Sequence, residues 1–216
     1  MQVKTFFFHL CSVAILFLSA SSFAQTDPFA EPMPLYTAGT NYKVDFPESK
    51  VNKPVVMEFF SFGCPHCFNA EGQVGRWLTS KPDNVKFIKI PVSFGRPQWT
   101  LFARAYYTAK ALKIEDKMVK PFFELIHEKR QPPATIADLK TFFVSIGASA
   151  EDFDKQVKSF YVENAIRQAD QLARKFKVAG VPDFLINEKY RLVGTGVKSE
   201  DDFQALLTGL ALKDFK

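Results

Sequence analysis

The chain has 216 residues, with 28 Lys and Arg against 23 Asp and Glu, and a formal net charge of +5 at pH 7. No dense Lys/Arg cluster is interleaved with aromatics, which argues against nucleic-acid binding, and the mild basicity fits solubility and weak contact with anionic surfaces. Apolar content of 47% is ample for a core and no internal repeat is visible, so one large domain, or one domain with an insertion, is expected.

Residues 1–24 read as a signal peptide. Lys4 supplies the positive start, Phe6 to Ala20 the apolar region, and Ser22-Phe23-Ala24 the small residues of a cleavage site near Ala24–Gln25. The apolar stretch is short for a transmembrane helix; an uncleaved anchor is the alternative reading. Cleavage would remove Cys11 and Lys4, leaving Cys64 and Cys67 as the two cysteines and a formal charge of 27 − 23 = +4. Export leads to an oxidising compartment, where cysteines usually staple distant loops. A Cys64–Cys67 disulfide closes almost no loop and would stabilise little. Redox chemistry or metal binding therefore explains the pair better than stapling does.

The expected elements follow in order. Residues 25–35 form an irregular arm, Tyr42 to Phe46 a short first strand, and Pro47 to Pro54 a loop. Val55 to Phe60 is an apolar run suited to a central strand buried on both faces, with Glu58 the misfit. Cys64-Pro65-His66-Cys67 follows at once, and a buried strand running into Cys-x-x-Cys reads as a thioredoxin-like redox motif. The next stretch is helical, with Cys67, Ala70, Val74, Trp77 and Leu78 on one face, and closes near Lys81-Pro82-Asp83. Gly72 and Gly75 weaken that helix by roughly 1 kcal/mol each. Cys64 thus falls at a helix N-terminus, where peptide N–H groups and the helix dipole favour an anion such as a thiolate. Pro65 suits the first helical position. Val85 to Ile90 is a second strand with Lys89 as its odd member.

From Gln98 to Lys177 the apolar period is helical. Trp99, Phe102, Ala103 and Tyr106 share a face, as do Val119, Phe122, Phe123 and Ile126, then Ile136, Leu139, Phe142, Phe143 and Ile146. Phe153, Val157 and Phe160 mark a short helix, and Ile166, Ala169, Leu172, Ala173 and Phe176 a longer one. Thr135 and Ser149 are expected N-caps and Gly147 a helix stop. His127, among Glu128, Lys129 and Arg130, reads as a surface residue. Strands return at Phe184 to Ile186 and Tyr190 to Val193, joined by Asn187-Glu188-Lys189 as a hairpin. Ser199 caps a last helix that buries Phe203, Leu206, Leu207 and Leu210. The order βαβ, helical block, ββα gives an α/β sheet with helices on its faces.

These residues resemble the DsbA family of periplasmic thiol:disulfide oxidoreductases, which have a thioredoxin fold interrupted by a helical domain. The matching positions are Glu58 to Phe62, Cys64-Pro65-His66-Cys67, Glu71, Val85-Lys86 with Lys89, Trp99, and Gly180-Val181-Pro182 before Phe184. The resemblance runs from about Tyr36 to the last helix. Gly63 and Pro91 depart from the usual pattern and bear on the shape of the substrate groove. The implied organisation is a thioredoxin-like domain at 25–97 and 177–216 with an inserted helical domain at 98–176.

The resemblance implies a disulfide oxidant of reduced, unfolded exported proteins, working in the periplasm as a monomer. It needs no cofactor beyond a redox-active Cys64–Cys67 disulfide, and a quinone-linked membrane oxidase of the DsbB type recharges it. Cys64 would be the exchange sulfur and Cys67 its buried partner. His66, facing the thiolate, would stabilise its charge. Glu58, Glu71 and Lys89 would lie beneath the disulfide, with Glu58 relaying a proton to or from Cys67. Val181-Pro182 would be a cis-proline loop that pairs with an extended substrate peptide. The competing readings are an isomerase or reductase on the same fold, and a metal- or copper-handling protein using Cys64, Cys67 and His66.

Overall fold

The computed structural model describes residues 36–215, all within one compact unit. The expected signal peptide and the arm at 25–35 lie outside the described residues. The strands are β1 (Tyr42–Val44), β2 (Val55–Phe60), β3 (Lys86–Pro91), β4 (Asp183–Ile186) and β5 (Tyr190–Leu192). They form one sheet in the order β1-β5-β4-β2-β3. β2 pairs parallel with β3 and antiparallel with β4, and the parallel pair is joined through α1 (Pro65–Ser80).

The centre of the sheet explains the apolar run in β2. Every residue of that strand is buried, because helices cover both faces. Val55, Met57 and Phe59 join the aromatic cluster beneath the helices between β3 and β4. Val56 packs instead with Trp77, Phe184, Leu206 and Leu210. Each fully buried side chain of this kind contributes about 1.5–3 kcal/mol. β3 is an edge strand, and it starts and ends one residue later than expected, at Pro91. A proline, with no N–H to donate, is tolerated at such an edge.

Five helices separate β3 from β4: α2 (Pro97–Ala111), α3 (Glu115–His127), α4 (Ile136–Ser145), α5 (Ala150–Val157) and α6 (Phe160–Lys175). Thr135 and Ser149 cap α4 and α5 by accepting from the amides of Asp138 and Asp152, and Gly147 takes φ +91° at the stop after α4. Two expected core positions are corrected. Phe160 is 80% exposed, because Ser159 accepts a hydrogen bond from the Val162 amide and starts a new helix, which turns Phe160 outward. Leu78 is likewise exposed; Trp77 takes the core position and donates its Nε1–H to Thr208 Oγ1 at 3.0 Å. That bond ties α1 to α7 (Glu200–Leu212), which Ser199 and Asp202 cap reciprocally.

The β4–β5 turn is fixed by Asn187 and Glu188, at φ +54° and +52°. The buried Asn187 side chain accepts from the Val55 amide at 3.0 Å and donates to the carbonyls of Leu210 and Ala211. One side chain thus holds the hairpin, β2 and the end of α7 together.

Candidate active site

Cys64 is the N-cap of α1. Its backbone is extended, at φ −101° and ψ 117°, and Pro65 opens the helix, its missing N–H costing nothing there. The amides of Cys67 and Phe68 donate to the Cys64 carbonyl at 3.1 Å. No side chain caps this helix, so its first-turn amides and dipole are directed at whatever charge Cys64 carries. Both cysteines are thiols in this structure. Cys64 is 7% exposed and Cys67 is fully buried, so the first sulfur is the more accessible. Burial pushes the Cys67 thiol far above its ordinary range; Cys64 and the Glu58 charge add to this, and a hydrogen bond from the Ser61 backbone opposes it.

The Cys64 thiol donates to the carbonyl of Val181 at 3.3 Å, and the Val181–Pro182 peptide is cis. The β4 end of the fold therefore meets the N-terminus of α1 at the sulfur. A groove of about 310 Å³ opens beside Pro182, walled by Ala70, Gln73, Phe184, Val197 and Phe203. Pro65 and His66 are exposed. Among the described residues no hydrogen bond joins the His66 ring to Cys64.

The two strand misfits are partners. Register places Glu58 directly opposite Lys89. Lys89 Nζ lies 3.2 Å from Glu58 Oε2 and hydrogen-bonds Glu71 on α1. The approach to Glu58 is close enough for attraction but not aligned as a hydrogen bond, so both Glu58 oxygens lack a hydrogen-bond partner. Burial raises the Glu58 pKa to about 7, with the Glu71 charge adding and Lys89 opposing. Burial works against the charge on Lys89, but the two carboxylates outweigh it and hold the ammonium above its usual value. The result is a carboxyl that can gain or lose a proton near neutral pH, within electrostatic reach of Cys67.

Three contacts at the site were not read from the sequence. His127, expected at the surface, is half-buried: its Nε2 lies 2.7 Å from the Phe62 carbonyl and its ring stacks on Phe68 with centroids 5.0 Å apart. Trp99, expected in the core, is half-buried and closes over Gly63. A Cβ on Gly63 would press on the Trp99 indole nitrogen and stand 3.0 Å from Cδ1, so the indole fills the space a larger residue would take. Arg191 forks between Asp45, Asp183 and the Phe176 carbonyl, fixing the residue after Pro182. Burial raises the Asp183 pKa to about 6, Asp45 adding and Arg191 opposing. These partners lie 8 to 146 positions apart, and no local pattern signals them. Among the described residues, no group of three or more His, Cys, Asp or Glu side chains stands together as a metal site.

A family model described as a DSBA-like thioredoxin domain matches residues 55–208. The chain is 31% identical over 179 residues to the thiol:disulfide interchange protein DsbA of Pseudomonas syringae pv. tomato, covering 83% of each chain. It is 35% identical over 164 residues to the protein of the same name from Haemophilus influenzae, covering 73% of this chain and 79% of that one. Among solved structures it is similar to the crystal structure of Pseudomonas aeruginosa DsbA, with a TM-score of 0.75 and 28% identity over 83% of this chain and 94% of that one. It is similar also to DsbA from Xylella fastidiosa, with a TM-score of 0.74 and 26% identity over 83% of this chain and 98% of that one.

Proposed function

The chain belongs to the DSBA-like thioredoxin-domain family, and from that premise we propose how its own residues carry out the oxidation of exported proteins. It is a thiol:disulfide oxidoreductase that donates a disulfide by exchange. The observation that carries the residue assignment is the asymmetry of the pair. Cys64 sits at a helix N-terminus against the Val181 carbonyl, whereas Cys67 is fully buried behind it.

In the forward direction a substrate thiolate attacks Cys64 Sγ of the Cys64–Cys67 disulfide. The new bond joins substrate sulfur to Cys64, and Cys67 leaves with the electron pair. Burial makes a Cys67 thiolate costly, so it takes a proton, and Glu58, whose own pKa burial raises to about 7, supplies it. A second substrate thiolate then attacks the substrate sulfur of the mixed disulfide. Cys64 leaves as a thiolate, favoured by the helix N-terminus. Two electrons pass to the protein and one disulfide forms in the substrate. Val181 and Pro182 hold the substrate backbone beside the sulfur, and the adjoining groove takes its side chains. Glu71 keeps Lys89 charged beneath the pair, and His66 borders the approach to it. The reading includes export to the periplasm with cleavage near Ala24–Gln25, monomeric action, no cofactor beyond the cysteine pair, and reoxidation by a DsbB-type quinone-linked membrane oxidase.

The test is oxidation of a reduced, unfolded protein by stoichiometric oxidised enzyme. One substrate disulfide per enzyme is expected, with none from Cys64→Ser. Cys67→Ala should accumulate mixed disulfides through Cys64. If Cys64→Ala traps substrate and Cys67→Ala does not, the two roles are reversed. Membranes carrying quinone should restore turnover. An equilibrium with glutathione that favours the protein's disulfide would instead support the reductase or isomerase reading.

A further inference from the structure

We propose that His127 is a positioning residue for the redox centre, acting on Cys64 through the Phe62–Gly63 peptide. The inference rests on the reading of Cys64 as the exchange sulfur. The residues just before Cys64 form an unusual peptide unit, held at both of its polar atoms by side chains. Its carbonyl, on Phe62, accepts from His127 Nε2, 2.7 Å away. Its N–H, on Gly63, donates to Ser61 Oγ at 3.2 Å. The next amide, of Cys64 itself, donates to the Ser61 carbonyl at 3.0 Å.

This clamp joins separate parts of the fold. Ser61 directly follows β2, whereas His127 is the last residue of α3 in the inserted helices. The same imidazole lies flat on Phe68, the residue after Cys67, with an interplanar angle of 12°. One ring therefore bears on the residue next to Cys67 and on the peptide that leads into Cys64. Gly63 makes the restraint necessary. A glycine leaves its flanking peptide planes free to turn, and here a side chain is barred because Trp99 occupies the space. Without a fixed donor on the Phe62 carbonyl, rotation at Gly63 would shift Cys64 relative to the first turn of α1 and to the Val181 carbonyl, 3.3 Å from its sulfur.

The chemistry fixes the tautomer. A carbonyl only accepts, so Nε2 must carry hydrogen, as it does in both the Nε2–H neutral ring and the protonated ring. The clamp therefore persists across the working pH range and is a constant restraint, not a switch.

H127F keeps an aromatic ring for Phe68 and loses the donor. H127Q loses the ring and keeps a terminal amide N–H at a similar reach. In H127F, exchange at Cys64 with a model thiol should slow, and the equilibrium with glutathione should shift, each by about three- to tenfold, the size of one ordinary hydrogen bond. H127Q should recover most of both. A purely structural role would lower the urea midpoint without moving the glutathione equilibrium, so the equilibrium is the deciding readout. Folded H127F with wild-type rate and equilibrium overturns the proposal, and so does equal impairment of the two variants. Should H127F not fold, the wild-type ring decides: nitrogen chemical shifts of an Nε2–H tautomer support the clamp, and an Nδ1–H tautomer removes it. Wild-type protein that exchanges no disulfide would count against the functional reading and not against His127.

Discussion

Glu58→Gln should stabilise the reduced protein at neutral pH and leave it unchanged in acid. Glu58 is fully buried, and its carboxyl has a pKa of about 7 in the fold against an ordinary 4.5. A raised acid pKa means that the folded state holds the proton more tightly than the unfolded chain. Its stability is then fully present below pH 4.5 and is lost as pH rises toward and through 7. The difference of 7 − 4.5 = 2.5 units corresponds to about 3 kcal/mol at pH 7 and above. Glutamine has nearly the shape of the neutral acid and cannot ionise, so it escapes this loss, while Lys89 keeps Glu71 as its partner. The variant should unfold about 3 kcal/mol later than wild type at pH 8, roughly 6–12 °C in midpoint for a chain of this size, and the curves should converge near pH 4. The assay is urea unfolding of the dithiol forms between pH 4 and 8. Asp183 titrates in both proteins, so the difference between the curves isolates Glu58. Oxidation of substrate thiols should nevertheless slow in the variant, because in the proposed mechanism Glu58 supplies the Cys67 proton. Parallel stability curves would show that Glu58 is not the titrating group, and an unchanged oxidation rate across pH would remove it from the mechanism.

Gly63→Ala should cost about 1–3 kcal/mol by driving a methyl into the Trp99 indole, and nearly nothing in a Trp99→Ala background; equal costs in the two backgrounds would show that the contact is not the cause. The dithiol form should be more stable than the disulfide form at pH 7, because the uncapped first-turn amides of α1 gather at the free Cys64 sulfur and the disulfide closes a tiny loop; urea midpoints with and without reductant measure this, and a clearly more stable disulfide form would argue for a reductase. Arg191→Lys should cost about 2 kcal/mol and more at pH 8 than at pH 5, since one ammonium cannot reach all three acceptors and leaves Asp183 with a weaker opposing interaction; a loss independent of pH would separate Arg191 from Asp183.

The residues that could be read from the sequence were those whose environment is local. The β2 run, the Thr135, Ser149 and Ser199 caps and the Asn187-Glu188-Lys189 turn each state their conformation within a few positions. Glu58 and Lys89 were legible for a different reason, as misfits in two apolar strands that a parallel ladder could set side by side. α1 forms despite Gly72 and Gly75, because Cys67, Val74 and Trp77 bury one face and tertiary packing exceeds propensity. Phe160 misled because its spacing from Val157 continues a helical face that Ser159 interrupts. His127 misled because its charged neighbours are exposed while its own partner lies 65 positions upstream. The Arg191 fork was illegible on the same ground.

The contrast between the two sulfurs depends on contacts of the second kind. A Cys-x-x-Cys pair places two similar thiols one helical turn apart, and nothing in that spacing says which will be attacked. Here burial separates them: Cys67 is fully buried, whereas Cys64 keeps 7% of its surface exposed and its thiol meets the Val181 carbonyl. The closure comes from parts of the chain far from the motif, including β2, the inserted helices and the loop ending at Pro182. A charge that burial makes costly on Cys67 sets the two sulfurs apart. On the proposed reading the mixed disulfide forms at Cys64, and Cys67 leaves into a site that must supply its proton. The buried, hydrogen-bond-poor carboxyl of Glu58 costs stability at neutral pH, and on the proposed reading the same burial keeps it protonatable where Cys67 needs a proton.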